Sequence, residues 1–499
     1  MVSGRLPSRP VWPSRMKRKY KWMSLGIALI AISVGAATFF YALPLVAIGA
    51  AYKAKILCSA VFVSKRDPQS IVGADLEAGD LSLLRHVGAR IDYDSREVAT
   101  DFLGYVKRKA VFQEGRGCVI VHGALDTSIV KGPQASREPA RTKPALTEEL
   151  EASGAAPPEF DESRLHAALE WAFSERDPAL PRRTRAVVVV YKGRLVAERY
   201  APGFTKDTAL IGWSMTKSVV NALVGVLVKQ GKVSLSDSVP IPEWKRASDP
   251  RRRITLEQLL HMTSGLQFDE DYGNPLSDVT TMLFGVPDAA AYAAAKPLEA
   301  EPGARWRYSS GTTNIIAYAI RQIVGDSDYL EFPRRALFDR LSMTSAAMET
   351  DASGTFVGSS FMYATARDWA RFGLLYLHDG VWLGERILPE GWVAFTRAPA
   401  PATLDRQYGA HFWLRIPEEY RCGNGSRRLP ADAFHAIGYE GQFVTVIPSR
   451  ELVLVRLGIT RYPCAWDHQV FVDLVLRAFE NDKPANPALQ GTRQETARP

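Results

Sequence analysis

Metal-binding patterns are missing from this chain. Its eight histidines and four cysteines form no C-x-x-C or H-x-x-x-H spacing, so neither a zinc centre nor any other cofactor is expected. The G-x-S-x-G turn is absent too, which removes an α/β-hydrolase elbow. No repeat of fixed period marks a solenoid or propeller. Acidic residues are absent from the first 23 positions, where Arg5, Arg9, Arg15, Lys17, Arg18, Lys19 and Lys21 gather. Those seven nearly account for the net charge of +8 (8 − 7 = 1). The positive excess therefore sits in a tail and not on a folded face, so a nucleic-acid partner is not expected.

Charge of either sign is missing from Ser24 to Tyr52. That apolar run exceeds the roughly 20 residues needed to cross a bilayer. Basic residues before it predict a cytoplasmic N-terminus, although Lys53, Lys55, Lys65 and Arg66 beyond it weaken the asymmetry. The expected arrangement is a basic tail over 1–23, a single-pass inner-membrane anchor over 24–52, and a body outside the cytoplasm, in the periplasm. The alternative is a signal peptide cleaved near Gly49-Ala50-Ala51, with a secreted body. Ile56-Leu57 before Cys58 lacks the small residues of a lipoprotein anchor. A body outside the cytoplasm permits disulfides. Four cysteines allow three pairings; Cys58–Cys118 with Cys422–Cys464 keeps each pair within one region, and buried free thiols are the alternative.

Residues 53–131 mix short apolar runs with charged turns and carry no recognisable chemistry. Residues 132–161 are rich in Pro, Ala and Glu and read as a linker. The body spans 162–480, and 481–499 has the composition of a disordered tail. Within the body, Leu165, Leu169, Trp171 and Phe173 mark an amphipathic helix. Ala186 to Tyr191 and Leu195 to Tyr200 flank Lys192-Gly193 as a hairpin. Trp213 to Gln230 is a long apolar helix closed by Gly231. Gln442 to Ile447 and Leu452 to Ile459 form a second hairpin, followed by a helix from Val470 to Phe479. Strands at both ends of the body and helices in the middle suggest one antiparallel sheet assembled from the two ends, with a helical insertion.

Three S-x-x-K sequences occur, at Ser14, Ser128 and Ser214. The first lies in the basic tail and the second opens the linker. Only Ser214-Met215-Thr216-Lys217 opens a long buried helix. There, residues three apart share a face and the helix N-terminus favours a developing oxyanion. A lysine in an apolar cleft can serve as the base that activates the serine. A second element, Pro302 to Gly311, contains Tyr308-Ser309-Ser310, and a tyrosine so placed can relay a proton. A third, His435-Ala436-Ile437-Gly438-Tyr439-Glu440-Gly441-Gln442, precedes a strand, and its glycines permit close backbone approach by a ligand. Asp269-Glu270-Asp271 reads as a solvated acidic loop, and His261 as a structural histidine.

These elements in this order resemble the serine β-lactamase and penicillin-binding-protein superfamily. Leu259 to Leu266 (LLHMTSGL) and Ala364 to Gly373 (ATARDWARFG) resemble its class C β-lactamase-related branch, as seen in 6-aminohexanoate-dimer hydrolases and esterases. The resemblance implies an α/β, β-lactamase/transpeptidase-like fold, an antiparallel sheet flanked by helices plus a helical subdomain, with Ser214 acylated, Lys217 as its base and Tyr308 as proton relay. It implies an oxyanion hole from the main-chain N–H groups of Ser214 and Tyr439. Ser310, Gly438 and His435 become candidates for the substrate cleft, with His435 or Arg305 as a substitute cation. Two departures stand out. Ser310 replaces the Asn of Tyr-Ser-Asn, and Ala436-Ile437-Gly438 replaces Lys-Thr-Gly, so the cation that grips a substrate carboxylate is missing. The expectation is a serine hydrolase for a small ester or amide. The alternatives are a non-catalytic binding or regulatory relative, or a peptidoglycan-directed peptidase. The oligomeric state is not legible.

Overall fold

The computed structural model describes residues 14–77, 79–122, 159–403, 405–422 and 429–480. Most of the expected linker and the C-terminal tail lie outside these residues.

Helix α1 (Ser14–Ala37) passes through a π-helical turn, Thr38–Ala42, into α2 (Leu43–Phe62). Among the described residues, Lys21–Phe62 is the one helix long and apolar enough to cross a membrane, a property signal sequences share. The expected anchor ends at Tyr52, but the helix continues ten residues further, and burial inside the protein already begins near Ile48. The reason is a partner surface. The antiparallel meander β1 (Gly88–Asp92), β2 (Glu97–Phe102), β3 (Val106–Gln113) and β4 (Gly117–Val121) packs on α2, sharing a core of Ala51, Ala54, Leu57, Cys58, Val98 and Ala110. A Cys58–Cys118 disulfide joins α2 to β4.

Of the four charges beyond the anchor, Lys65 is exposed and the other three prove to be internal cations. Lys53 Nζ donates to Glu77 Oε1 (2.7 Å) and to the carbonyls of Leu84 and Val87. Lys55 Nζ donates to Glu349 Oε2 at 2.6 Å, and Arg66 pairs with Asp75 at 2.5 Å.

The body opens with α3 (Glu162–Phe173), capped by Asp161. Strands β5 (Thr184–Tyr191) and β6 (Arg194–Tyr200) follow, then α4 (Met215–Lys229), α5 (Ser310–Val324) and α6 (Ala366–Leu377). The chain returns through β7 (Phe434–Gly438), β8 (Gln442–Ile447) and β9 (Leu452–Gly458) and ends in α7 (His468–Arg477). The five strands form one antiparallel sheet in the order β7-β8-β9-β5-β6, with Val188 opposite Val455 and Val455 opposite Val444. Val187, Val189, Leu454 and Phe443 turn to α3 and α7, while Val188, Val190, Val444 and Val455 turn to the core holding α4 and α6. Both faces are covered, which is why β5 reads as an unbroken valine run instead of an alternation. One expectation is extended: His435 to Gly438 precedes strand β8, as expected, and is itself a strand, paired with β8 from Phe434↔Val446 to Gly438↔Gln442. A second disulfide joins Cys422 and Cys464.

Candidate active site

A short strand, Leu210–Ile211, leads into Gly212-Trp213-Ser214 and then α4. It is held by Met362–Ala364, and Gly212 N donates to the Met362 carbonyl at 2.8 Å. Trp213 takes a positive φ of 47°, which turns the chain sharply and sets Ser214 at the helix mouth. The side chain of Ser214 makes no capping bond, so it stays available to the cleft.

Lys217, 1% exposed, reaches back one turn along α4. Its Nζ donates to Ser214 Oγ (2.8 Å), Ser310 Oγ (2.9 Å) and the Ser359 carbonyl (3.1 Å). Burial without a directly touching carboxylate lowers its pKa to about 8, against a smaller opposing pull from Glu270. Tyr308 lies beside it, with the Lys217 ammonium 4.9 Å from the ring centroid and the Ser214 side chain near enough to influence its phenol. Burial holds the Tyr308 phenol well above its ordinary value, and the Ser214 side chain works in the other direction.

The acidic loop of the sequence is split by the fold. Asp269 and Asp271 are exposed, but Glu270 turns inward and accepts from Ser310 N (2.7 Å) and Ser310 Oγ (2.5 Å). Burial raises its pKa, and Lys217 opposes that rise. The polar groups thus form a line: Ser214, Lys217, Ser310, Glu270. Asn314, one turn further along α5, accepts from Ser359 N (3.1 Å) and donates to Ser359 Oγ (3.2 Å), fixing the segment whose carbonyl Lys217 meets. Sequence reasoning missed Glu270, Asn314 and Ser359. Only Glu270 carried a signal, a carboxylate in a run whose two neighbours are solvated.

Strand β7 ends against the segment that precedes Ser214. A Cβ on Gly438 would stand 2.1 Å from the Gly212 carbonyl oxygen. The glycine is therefore required by the protein's own backbone. This contact brings the stretch entering Ser214 to the stretch entering Tyr439. The Tyr439 ring stacks on Tyr272 (4.6 Å between centroids) and meets Trp213 edge-on (5.6 Å). Around Tyr308 stand Tyr408 (5.7 Å) and Trp413 (5.3 Å), so aromatic rings surround the polar line.

His435 does not reach this site. It alternates with Phe434 and Ala436, whose side chains face α4, and so points to the opposite face of the sheet. There Nδ1 meets Thr445 Oγ1 at 2.8 Å, and Thr445 meets His468 at 2.8 Å. Burial depresses its pKa to about 3, so the ring is neutral and replaces no cation. Arg305 is committed to Glu299 at 3.4 Å on the surface. His261 is buried against Phe395 and has a pKa of about 4. Among the described residues, no group of His, Cys, Asp and Glu is arranged to hold a metal ion.

The Beta-lactamase family profile matches residues 178–463. The 6-aminohexanoate-dimer hydrolase of Paenarthrobacter ureafaciens is 27% identical over 310 residues, 58% of this chain and 76% of its own. An uncharacterised protein of Alkalihalophilus pseudofirmus is 21% identical over 301 residues, 54% of this chain and 82% of its own. Among solved structures, a family VIII carboxylesterase is similar at 17% identity and a TM-score of 0.49, covering 65% of this chain and 98% of the other. A penicillin-binding-protein homologue from Caulobacter crescentus is similar at 18% and 0.48, covering 64% and 96%.

Proposed function

Because the chain belongs to the β-lactamase family of serine hydrolases, we propose that it cleaves a small ester or amide through an acyl-enzyme on Ser214. The observation that carries this reading is the 2.8 Å contact of Lys217 Nζ with Ser214 Oγ in a buried cleft. With a pKa of about 8, a useful fraction of Lys217 is neutral near pH 7, and the neutral amine takes the serine proton. Ser214 Oγ then attacks the acyl carbon. The oxyanion is received by the main-chain N–H groups of Ser214 and Tyr439. Collapse expels the alcohol or amine, which takes its proton from Lys217 through the Tyr308 hydroxyl. Water enters by the reverse route, giving up its proton along the same relay, and the carboxylic acid leaves with Ser214 restored.

The substrate class follows from what faces the cleft. Position 436 carries alanine turned toward α4, and position 437 an isoleucine in the core on the far face of the sheet. No lysine stands there to hold a carboxylate, and aromatic rings surround the polar groups. A neutral acyl group suits this site better than a peptide C-terminus. The apolar helix after the basic tail supports an inner-membrane anchor with the body in the periplasm. The two disulfides fit an oxidising compartment. A reporter fused after Lys131 is expected to be active outside the cytoplasm; activity inside overturns the topology.

The reading is tested by intact-mass spectrometry of the full chain in detergent after fluorophosphonate treatment. A single adduct on the wild type, lost in Ser214→Ala, is expected. A folded wild type that takes no adduct would overturn it.

A further inference from the structure

We infer that Glu440 is a positioning residue that sets the geometry of the oxyanion hole, and that the N-terminal module braces it there; this rests on the acyl-transfer reading above. The two proposed oxyanion donors, Ser214 N and Tyr439 N, come from segments more than 200 residues apart in sequence. Each has as its immediate neighbour a non-glycine residue in the left-handed region, Trp213 at φ 47° and Glu440 at φ 61°. Residues with a Cβ rarely adopt that conformation unless their surroundings impose it. Here the two are tied together: Trp213 Nε1 donates to Glu440 Oε2 at 3.1 Å. That bond cross-links the two segments one residue away from each donor.

Glu440 is itself held from the side of the N-terminal module. Its Oε1 accepts from Arg461 Nε at 2.7 Å, with both side chains under 5% exposed. Its carbonyl accepts from Thr460 N at 2.8 Å. A second Arg461 nitrogen donates to the carbonyl of Asp75, in the connection between α2 and β1. The Asp75 carboxylate is clamped by Arg66 and by Arg185 of β5. A continuous chain of charge-assisted bonds thus runs from the module on the apolar helix through Arg461 and Glu440 to Trp213. An oxyanion hole acts through donors fixed before the charge develops, and a small misplacement of a reacting group costs rate steeply. Residues 53–122 are on this view part of the catalytic body, and not a spacer above a membrane.

The experiment uses the full chain in detergent, p-nitrophenyl butyrate as substrate, and complete fluorophosphonate labelling to count folded sites. Trp213→Phe removes the indole N–H while keeping a ring, and Glu440→Gln keeps an acceptor but not the charge. Both are expected to lower kcat per labelled site by about tenfold or more with KM changed less than about threefold. A boronic acid, whose tetrahedral adduct places an oxygen in the hole, is expected to bind more weakly by the same factor as kcat. Arg461→Met is expected to reproduce the loss, and Arg461→Lys to restore most of it. Wild-type kcat and boronate affinity in Trp213→Phe and Glu440→Gln would overturn the inference and leave the acyl-enzyme reading intact. A wild type that neither labels nor hydrolyses removes both. Should Glu440→Gln fail to fold, Trp213→Phe decides alone.

Discussion

Two lysines in this molecule are equally buried, each 1% exposed, and have been put to opposite uses. Lys55, where α2 meets the body, touches the Glu349 carboxylate directly at 2.6 Å and lies 4.5 Å from the Phe361 ring. Ser59 Oγ and Cys118 N share the same carboxylate at 2.8 Å each. Lys217, in the cleft, touches two serine hydroxyls and a carbonyl, and its carboxylate stands one hydroxyl further off, behind Ser310. Burial lowers the pKa of both lysines, but at Lys55 the touching Glu349 carboxylate opposes the drop through charge and a hydrogen bond. An ammonium buried among neutral dipoles is held less firmly in its charged form, and so can exchange the proton. On the proposed mechanism, the placement of one carboxylate separates a structural lysine from a base.

The largest effect expected from this contrast is in the cleft. Lys217→Ala should lower kcat/KM on p-nitrophenyl esters by about a thousandfold or more and abolish phosphonate labelling, with little loss of thermal stability. Labelling at the wild-type rate would refute the assignment of the base. Tyr308→Phe comes next, at about a hundredfold in kcat, read from steady-state kinetics; an undiminished kcat would remove Tyr308 from the relay. Lys55→Met should do the reverse of Lys217→Ala. It strands Glu349 in the interior and should cost about 3–5 kcal/mol of stability, measured by denaturant unfolding, while kcat per folded site holds. If instead it silences the folded enzyme, the two lysines are not distinct in kind.

Smaller effects concern pH. With Lys217 titrating at about 8, kcat/KM should climb with pH below that value and level off above it. Glu270 favours the charged lysine, so Glu270→Gln should shift this profile toward lower pH, with a change in plateau rate of less than about tenfold. An unmoved profile would separate Glu270 from the base. The same titration has a stability signature. The folded pKa of Lys217 lies below the unfolded value of about 10.4, so between pH 8 and 10.4 the unfolded chain binds more protons. Stability therefore rises with pH across that window, and Lys217→Met should flatten the rise.

How much of this was legible varied by residue. The β5 valine run, the apolar face of α4 and the turn at Lys192-Gly193 are local patterns, and each became the element its period predicted. Ser214 and Lys217 were legible because three residues along a helix always share a face. Tyr308 and Ser310 were named through their motif, and the fold brings both to the lysine. Glu270 was misread because an Asp-Glu-Asp run is ordinarily solvated, and only the packing of its loop against α5 turns one of the three inward. His435 was misplaced by the period of two: one residue either way on β7 would have faced α4. The helix runs on past the expected anchor because a bilayer and a protein core accept the same side chains, so hydropathy alone does not mark where burial begins.

By itself the sequence determined the class of sheet, the helix that presents Ser214 and Lys217, and the absence of a lysine where a carboxylate would be gripped, because each depends on spacing within one short segment. Only the tertiary structure decided which carboxylate touches which lysine, which face of β7 looks into the cleft, and that Asp75 of the N-terminal module reaches Glu440 through Arg461. Those are meetings of residues tens to hundreds of positions apart, and local periodicity carries no information about which distant partner fills the other side of a contact.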